Sequence, residues 1–524
     1  MTIRVGLPSA TSVLALDILA LVPVFAIGLV LRLIHLDGQG LWFDELGEAR
    51  TARFAIPAIF DRISHDAAAA PLDYLGVKLT TGVFGIGTFQ VRLWAFAAGC
   101  LAIAAIYVVA RQLSGSRLAA AVASAMLATS AFAVYYSQDA RFYSLAMLVT
   151  LMNVSAFSLV WARPGLLRCF LYALSVSALL YTHYFAAAIL LGTEGVYAIG
   201  ATAADWRVHR AEMPLRTRWK RPASWAVGSI LGLVAFAPWF LTFTLRQLGT
   251  TSIFGPIPPL DAQFVARVLK DVFASMADVP GAAALTLLTV ALCLVGTASF
   301  IVQRRGFAAL LLVAIVASIP MAWIADEHAH YFWDSRQVAF ILPLAYLLAA
   351  EGVRAVIAVT GRLRASSLTR GARNSLRVAA LLVLAAAWLP PAVTAVRRVD
   401  SGGVMTEDWR GAAYSIAQSL CPDATIHSTV SPLEYSGVGF YLPTLTSRIV
   451  RIGQAGMPIT QTIQETTFGP HDWLALETYA GIGIEAEATL KSQGWTEQRF
   501  VGVVVFRHGD ACPERTRAPL PTRR

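Results

Sequence analysis

Two short stretches carry most of the chemistry this chain can offer. The first, Leu41-Trp42-Phe43-Asp44-Glu45, is an acidic pair flanked by aromatics. A carboxylate partly removed from water binds its proton more tightly, which suits Asp44 to act as a general base or to bind an acceptor hydroxyl or a metal. The plain alternative is an interfacial aromatic belt with solvated acids. The second stretch is Tyr135-Tyr136-Ser137-Gln138-Asp139-Ala140-Arg141-Phe142-Tyr143. A fixed guanidinium beside a helix start makes a phosphate site, and the aromatics can stack on a sugar or pack on a lipid. Its structural alternative is an Asp139–Arg141 pair with tyrosine anchors. Further candidates are His65, Asp66, Asp73, Lys78, Arg92, His183, Tyr184, Asp326, Glu327, His328, His330, Asp334 and Arg336. The 326–330 run lacks regular ligand spacing, so a divalent metal is left open and no cofactor is assigned.

These residues must be positioned by a membrane protein. Of the 524 residues 56% are hydrophobic and only 14% charged, and the mean hydropathy is +0.60. That excludes disordered, collagenous and ordinary soluble classes. Eleven apolar stretches reach the length of a bilayer crossing: residues 12–35, 89–110, 118–136, 142–161, 166–181, 184–203, 224–245, 281–303, 307–325, 338–360 and 378–396. The fifth and sixth are separated only by the polar turn at Thr182, His183 and Tyr184.

Lys and Arg in the loops set the orientation. With the N-terminus cytoplasmic, the inside loops hold 19 bases, among them Arg207, Arg210, Arg216, Arg218, Lys220 and Arg221, and only the acids Asp205 and Glu212. The net charge of +10 therefore records topology and does not call for nucleic acid. Outside lie a long first loop, 36–88, with seven carboxylates, and a second, 246–280, with Pro256, Pro258 and Pro259, read as an ordered loop or partial lid. The intramembrane acids are Asp17, Glu194 and Glu351, fewer than a coupled transporter's midplane site requires.

An odd number of crossings puts the tail outside. The chain thus divides into a transmembrane domain, 1–397, and an extracytoplasmic α/β domain, 398–524. In the tail the pattern predicts helices at 407–419 and 485–492 and strands at 425–430, 448–452, 472–477 and 499–507. Cys100, Cys169 and Cys293 fall in apolar spans, whereas Cys421 and Cys512 are the tail's two cysteines, in a compartment that permits oxidation. Their positions beside expected strand ends predict a Cys421–Cys512 disulfide.

The two acidic motifs, together with Pro71-Leu72-Asp73-Tyr74-Leu75 after Asp66 and with Val91-Arg92-Leu93, resemble the polytopic GT-C glycosyltransferases. The likeness is to bacterial family 39 and 83 enzymes, the dolichyl-phosphate-mannose mannosyltransferase-like and aminoarabinose-transferase-like groups that use polyprenyl-phosphate sugars. The resemblance implies an all-α GT-C membrane fold of about eleven transmembrane helices in the bacterial inner membrane. It implies Asp44 as catalytic carboxylate with Glu45 its neighbour and Asp139 positioning the reacting groups. Arg141 and Arg336 would hold the lipid phosphate, with Tyr143, Asp66, Lys78 and His183 as further substrate contacts. One departure matters: where relatives often show Pro-Pro or Lys-Pro, this chain has Ala69-Ala70-Pro71, so no phosphate-binding lysine carries over there.

The expectation is transfer of a sugar from a polyprenyl-phosphate donor to an extracytoplasmic glycan, lipid or protein, with membrane lipids as further partners and Asp44 and Asp139 facing one outward cavity. The alternatives are a lipid or sugar transporter or flippase, and a noncatalytic scaffold.

Overall fold

The computed structural model describes residues 10–34, 36–65, 69–208, 215–247, 259–276, 278–329, 334–363, 370–400, 407–428, 437–452, 458–477 and 484–510. From the N-terminus come α1 (Ala10–Leu33), three shorter helices α2 (Phe43–Thr51), α3 (Ile56–Ile63) and α4 (Pro71–Phe84), then α5 (Thr88–Ser114). There follow α6 (Arg117–Thr129), α7 (Ala131–Ser137), α8 (Tyr143–Ala162), α9 (Leu166–Leu180), α10 (Tyr184–Val208) and α11 (Leu215–Trp239). A π-turn at Phe240–Thr244 leads into α12 (Leu245–Gln247) and the amphipathic α13 (Ala262–Phe273). The helical part closes with α14 (Ala282–Val302), α15 (Gly306–Ala329), α16 (Ile341–Leu363) and α17 (Arg370–Asp400).

Each expected span falls on helical residues, but 118–136 is divided at Ser130 between α6 and α7 and 224–245 runs from α11 through the π-turn into α12; the fifth and sixth separate at Tyr181–His183. Among the described residues, eight helices are long and apolar enough to cross a membrane, nine if α6 and α7 count as one broken span. The apolar α9 has only 15 residues, about 22 Å at 1.5 Å per residue. Helix α17 contains Pro390 and Pro391.

The break between α6 and α7 has a local cause. Ser130 is extended (φ −68°, ψ 121°), and its hydroxyl accepts the Ala133 N–H at 3.3 Å, capping the second helix. The two helices meet at 61°. Such a break strips the last carbonyls of α6 of helical partners. The Arg32 side chain, 1% exposed, replaces them, donating to the Leu127 and Ala128 carbonyls at 3.1 and 3.0 Å and to Gly28 at 3.1 Å.

Close approach of α14 and α16 depends on two glycines. A Cβ on Gly296 would sit 1.9 Å from the Leu348 carbonyl oxygen, and one on Gly352 would sit 2.1 Å from that of Leu292. Small residues at such contacts let membrane helices gain packing contacts. The intramembrane acids find partners within the bundle: Asp17 takes Arg111 and Arg117 at 3.1 and 2.9 Å, Glu351 takes Arg354, and Glu194 accepts from the Tyr172 hydroxyl.

The tail adds α18 (Trp409–Ser419), β1 (Ile426–Ser428), α19 (Gly437–Tyr441), β2 (Ile449–Arg451), α20 (Ile459–Glu465), β3 (Trp473–Glu477), α21 (Ile484–Ser492), β4 (Trp495–Phe500) and β5 (Val503–His508). The sheet order is β2-β1-β3-β5-β4, with β1 parallel to both neighbours and β5 antiparallel to β3 and β4. The single strand expected over 499–507 is instead a hairpin. Phe500 pairs with Val503 across a two-residue turn in which Gly502 takes φ 64°, a left-handed conformation that costs glycine little. Ile463, Leu474, Leu476, Leu490, Trp495 and Phe506 build the core on one face.

The chain forms two compact units: residues 1–34, 56–76 and 92–401, and residues 35–55, 77–91 and 402–524. Cys421 is disulfide-bonded and Cys100, Cys169 and Cys293 are free; Cys512 lies outside the described residues, and so does the expected pairing.

Candidate functional site

In the helical unit the Asp139–Arg141 turn is the point where several candidate residues meet. Helix α7 ends at Ser137, whose hydroxyl donates to the Ala133 carbonyl at 2.5 Å, and the Arg141 N–H then bonds the Asp139 carbonyl at 2.7 Å to close the turn. The Arg32 guanidinium also donates to Ser137 Oγ at 3.0 Å, and the Gln138 amide donates to the carbonyls of Arg32 and Ile34 at 3.2 and 2.7 Å. The end of α1 thus fixes the segment that leads into Asp139, which is itself buried.

Four elements bring side chains to this turn. Arg336 stands over the Tyr143 ring, 5.9 Å from its centroid, and pairs with Asp334 at 3.6 Å. Arg141 lies over Phe142, 5.6 Å from its centroid. Phe142 meets the His183 ring edge-on at 5.3 Å, and the Tyr136 hydroxyl donates to Met276 Sδ at 3.2 Å.

His183 is used fully: Nε2–H donates to the Gln337 carbonyl at 3.0 Å, and Nδ1 accepts the Ala186 N–H at 3.3 Å. Burial pushes its pKa down to about 4, so the ring is neutral and serves to hold the turn next to Arg336.

Asp73, in the first turn of α4, is 1% exposed, and neither carboxylate oxygen has a hydrogen-bond partner. Burial pushes its pKa up to about 7, opposed by the charge of Arg141. The sequence marked Asp73 only as one of many candidates; its burial beside Arg141 sets it apart. Two guanidiniums, two aromatic faces and two buried acids make a site able to neutralise an anion and to hold a polar ring.

In the second unit Asp44 and Glu45 open α2. Glu45 is fully buried and its Oε2 accepts the Trp42 N–H at 3.3 Å, whereas Asp44 is half-buried. The Phe43 N–H donates at 3.0 Å to Glu407, a residue the sequence did not single out. Lys78 donates to the Ala52 and Phe54 carbonyls at 3.2 and 2.7 Å, beyond the C-terminal end of α2, so its ammonium is engaged by backbone. Asp66 and His330 lie outside the described residues. Among the described residues no group of three or more His, Cys, Asp or Glu is disposed to hold a metal.

No protein-family model and no curated protein matches this sequence. Solved structures do match it. ArnT from Cupriavidus metallidurans, solved bound to undecaprenyl phosphate, is 15% identical with a TM-score of 0.55 over 95% of this chain and 98% of that one. Its apo state gives a TM-score of 0.56 over 98% and 100%. The archaeal oligosaccharyltransferase AglB from Archaeoglobus fulgidus, solved with an inhibitory peptide and a dolichol-phosphate, is 12% identical with a TM-score of 0.51 over 94% of this chain and 74% of that one. These likenesses show the fold: the mostly helical polytopic architecture of ArnT, with a small C-terminal sheet domain.

Proposed function

We propose that this protein is a glycosyltransferase that moves a sugar from a polyprenyl-phosphate donor to an acceptor hydroxyl on the outer side of the bacterial inner membrane. The observation that carries the proposal is the meeting of Arg141, Arg336, Tyr143 and Asp139 at one turn of a GT-C fold, a fold also found in a transferase solved with undecaprenyl phosphate. In this reading the lipid tail stays in the bilayer, and the two guanidiniums neutralise the phosphate as it becomes the leaving group. Asp44 removes the proton of the acceptor hydroxyl while its oxygen attacks the anomeric carbon. The carbon–oxygen bond to phosphate breaks, and the electron pair departs on the phosphate oxygen. One such displacement inverts the anomeric configuration.

The transmembrane part up to residue 397 is proposed to hold the donor, with eleven crossings and a cytoplasmic N-terminus. The tail is proposed to lie outside with a Cys421–Cys512 bridge. Asp139 positions the reacting groups, Glu45 supports Asp44, and Asp66 and Tyr143 contact substrate. The acceptor is a glycan, lipid or protein. The engagement of Asp17, Glu194 and Glu351 by neighbouring side chains argues against a transporter's midplane ion site.

The test uses purified full-length protein in liposomes with undecaprenyl phosphate carrying glucose, mannose, galactose or xylose, plus envelope extract as acceptor. Release of undecaprenyl phosphate and labelling of an acceptor are expected with at least one donor. Translocation of the intact donor without release from any of them would favour a flippase.

A further inference from the structure

The backbone leading into Asp44 is held by side chains from far along the chain. Arg410 donates through both terminal nitrogens to the Asp37 carbonyl at 2.9 Å and pairs with the Asp37 carboxylate at 3.6 Å. The Leu41 N–H donates to the Tyr441 hydroxyl at 2.6 Å. The Phe43 N–H donates to Glu407 Oε2 at 3.0 Å. Phe43 is the first residue of α2, and first-turn N–H groups have no partner within their own helix. A carboxylate there caps the helix from outside, at the residue next to Asp44.

Glu407 is itself fixed. Its Oε2 also accepts the Trp409 Nε1–H at 2.6 Å, and its side chain is 2% exposed. Trp409 is fully buried, and the backbone of α19 presses on it so closely that a Cβ at Gly437 would fall 2.1 Å from the ring. A rigid line therefore runs from Trp409 through Glu407 to the Phe43 amide. Asp44 is also the charged group whose field acts on Glu407: with burial the larger cause, it helps to push that carboxyl up to about 7. A proton on Glu407 leaves Oε2 able to accept both bonds while removing a second negative charge beside Asp44.

We infer that Glu407 is a positioning residue for Asp44, and that Glu407, Arg410 and Tyr441 serve as a clamp without which the Asp44 segment is present but misplaced. The inference rests on the transferase reading of Asp44. It gives the tail a role in turnover that a passive or partner-binding appendage would not have.

The experiment uses the full-length protein in liposomes, the donor panel above, and the variants Glu407→Ala, Glu407→Gln, Tyr441→Phe and Asp44→Asn. Glu407→Ala is expected to lower kcat by about 10- to 100-fold, the scale of an ~1 Å misplacement at a reacting group, with donor KM within twofold of wild type. Hydrogen exchange of the amides at 41–45 should rise in the same variant. Glu407→Gln keeps an acceptor oxygen for Phe43 and Trp409 and should recover most of the lost turnover. Tyr441→Phe removes a single hydroxyl, and it should lower kcat about threefold or more by the same route, which keeps the test decisive if Glu407→Ala does not fold. Wild-type kcat in Glu407→Ala or Tyr441→Phe, with Asp44→Asn inactive, overturns the clamp and leaves the transferase reading standing. Equal losses in the alanine and glutamine variants likewise overturn it. Full activity in Asp44→Asn would instead remove the role of Asp44 on which the clamp depends.

Discussion

The helical unit places Asp139 by filling a break inside its own bundle. Arg32 spans the gap left by the bend at Ser130, and the same guanidinium reaches Ser137, two residues before the acid. The second unit places Asp44 by reaching along the chain: Phe43 and its partner Glu407 are 364 residues apart. In the first case a buried cation meets helix-end carbonyls at almost no exposure; in the second, the Leu41 and Phe43 amides donate to a phenol and a carboxylate, and a guanidinium donates to the Asp37 carbonyl. A motif can therefore be complete in sequence while its support is either local to the fold or contributed from far along the chain. Beside the candidate residues of each unit lies a buried carboxyl with raised proton affinity, Asp73 in the first and Glu407 in the second.

The sharpest way to break this comparison is to remove the bundle's support. Arg32→Leu leaves the Leu127 and Ala128 carbonyls without this donor in an apolar surrounding, a loss of about 1 to 3 kcal/mol for each buried polar group left unsatisfied. Thermal unfolding in detergent should show a large drop, and Arg32→Lys, with a single ammonium, should recover only part of it. An Arg32→Leu protein of wild-type stability would mean that the bend at Ser130 supports itself.

The tail's covalent tie comes next. If the bridge from Cys421 closes about 90 residues to Cys512, its removal by Cys421→Ser should cost on the order of 4 kcal/mol less any strain, read as loss of the tail's cooperative transition. Nonreducing peptide mapping that pairs Cys421 with anything but Cys512 contradicts that assignment.

Within the proposed anion site, Arg141→Ala should lower donor turnover by about 100-fold, the cost of one charge-stabilising donor. Arg141→Lys should restore it only in part, because an ammonium lacks the planar fork. Equal turnover in both variants and wild type, across donor concentrations, would reduce Arg141 to a helix-end residue.

The smallest expected effect is on the pH dependence of stability. Burial pushes the Asp73 and Glu407 carboxyls up to about 7, so the folded chain holds protons that the unfolded chain has released. Their contribution is fully present below the ordinary carboxylate range and is lost as pH rises towards 7. Asp73→Asn and Glu407→Gln should each flatten the fall in Tm over that interval. An unchanged slope in both would show that these groups ionise alike in the folded and unfolded chain.

The helical architecture was legible because a crossing needs a long apolar run, and the Asp139–Arg141 motif was legible because its residues are contiguous. The hairpin at the end of the tail was not. Val503–Phe506 continues an apolar run, and a lone Gly502 gives little warning of a turn until the pairing of Phe500 with Val503 is seen. Glu407 and Tyr441 were likewise silent, because a carboxylate or a phenol before an amphipathic stretch has no signature of its distant partner. Arg32 did carry a signal, a cation in an apolar span. Lys78 shows the opposite limit: a lysine in the right region turned out to hold two backbone carbonyls.

The central claim is that Asp44 is the base in transfer from a polyprenyl-phosphate sugar, and the most direct measurement is turnover of Asp44→Asn. The reconstituted protein would be supplied with a donor that the wild type consumes. The account predicts loss of acceptor labelling by at least about 100-fold, with undecaprenyl phosphate still bound at near wild-type affinity through the arginines. Labelling at the wild-type rate by Asp44→Asn would contradict it.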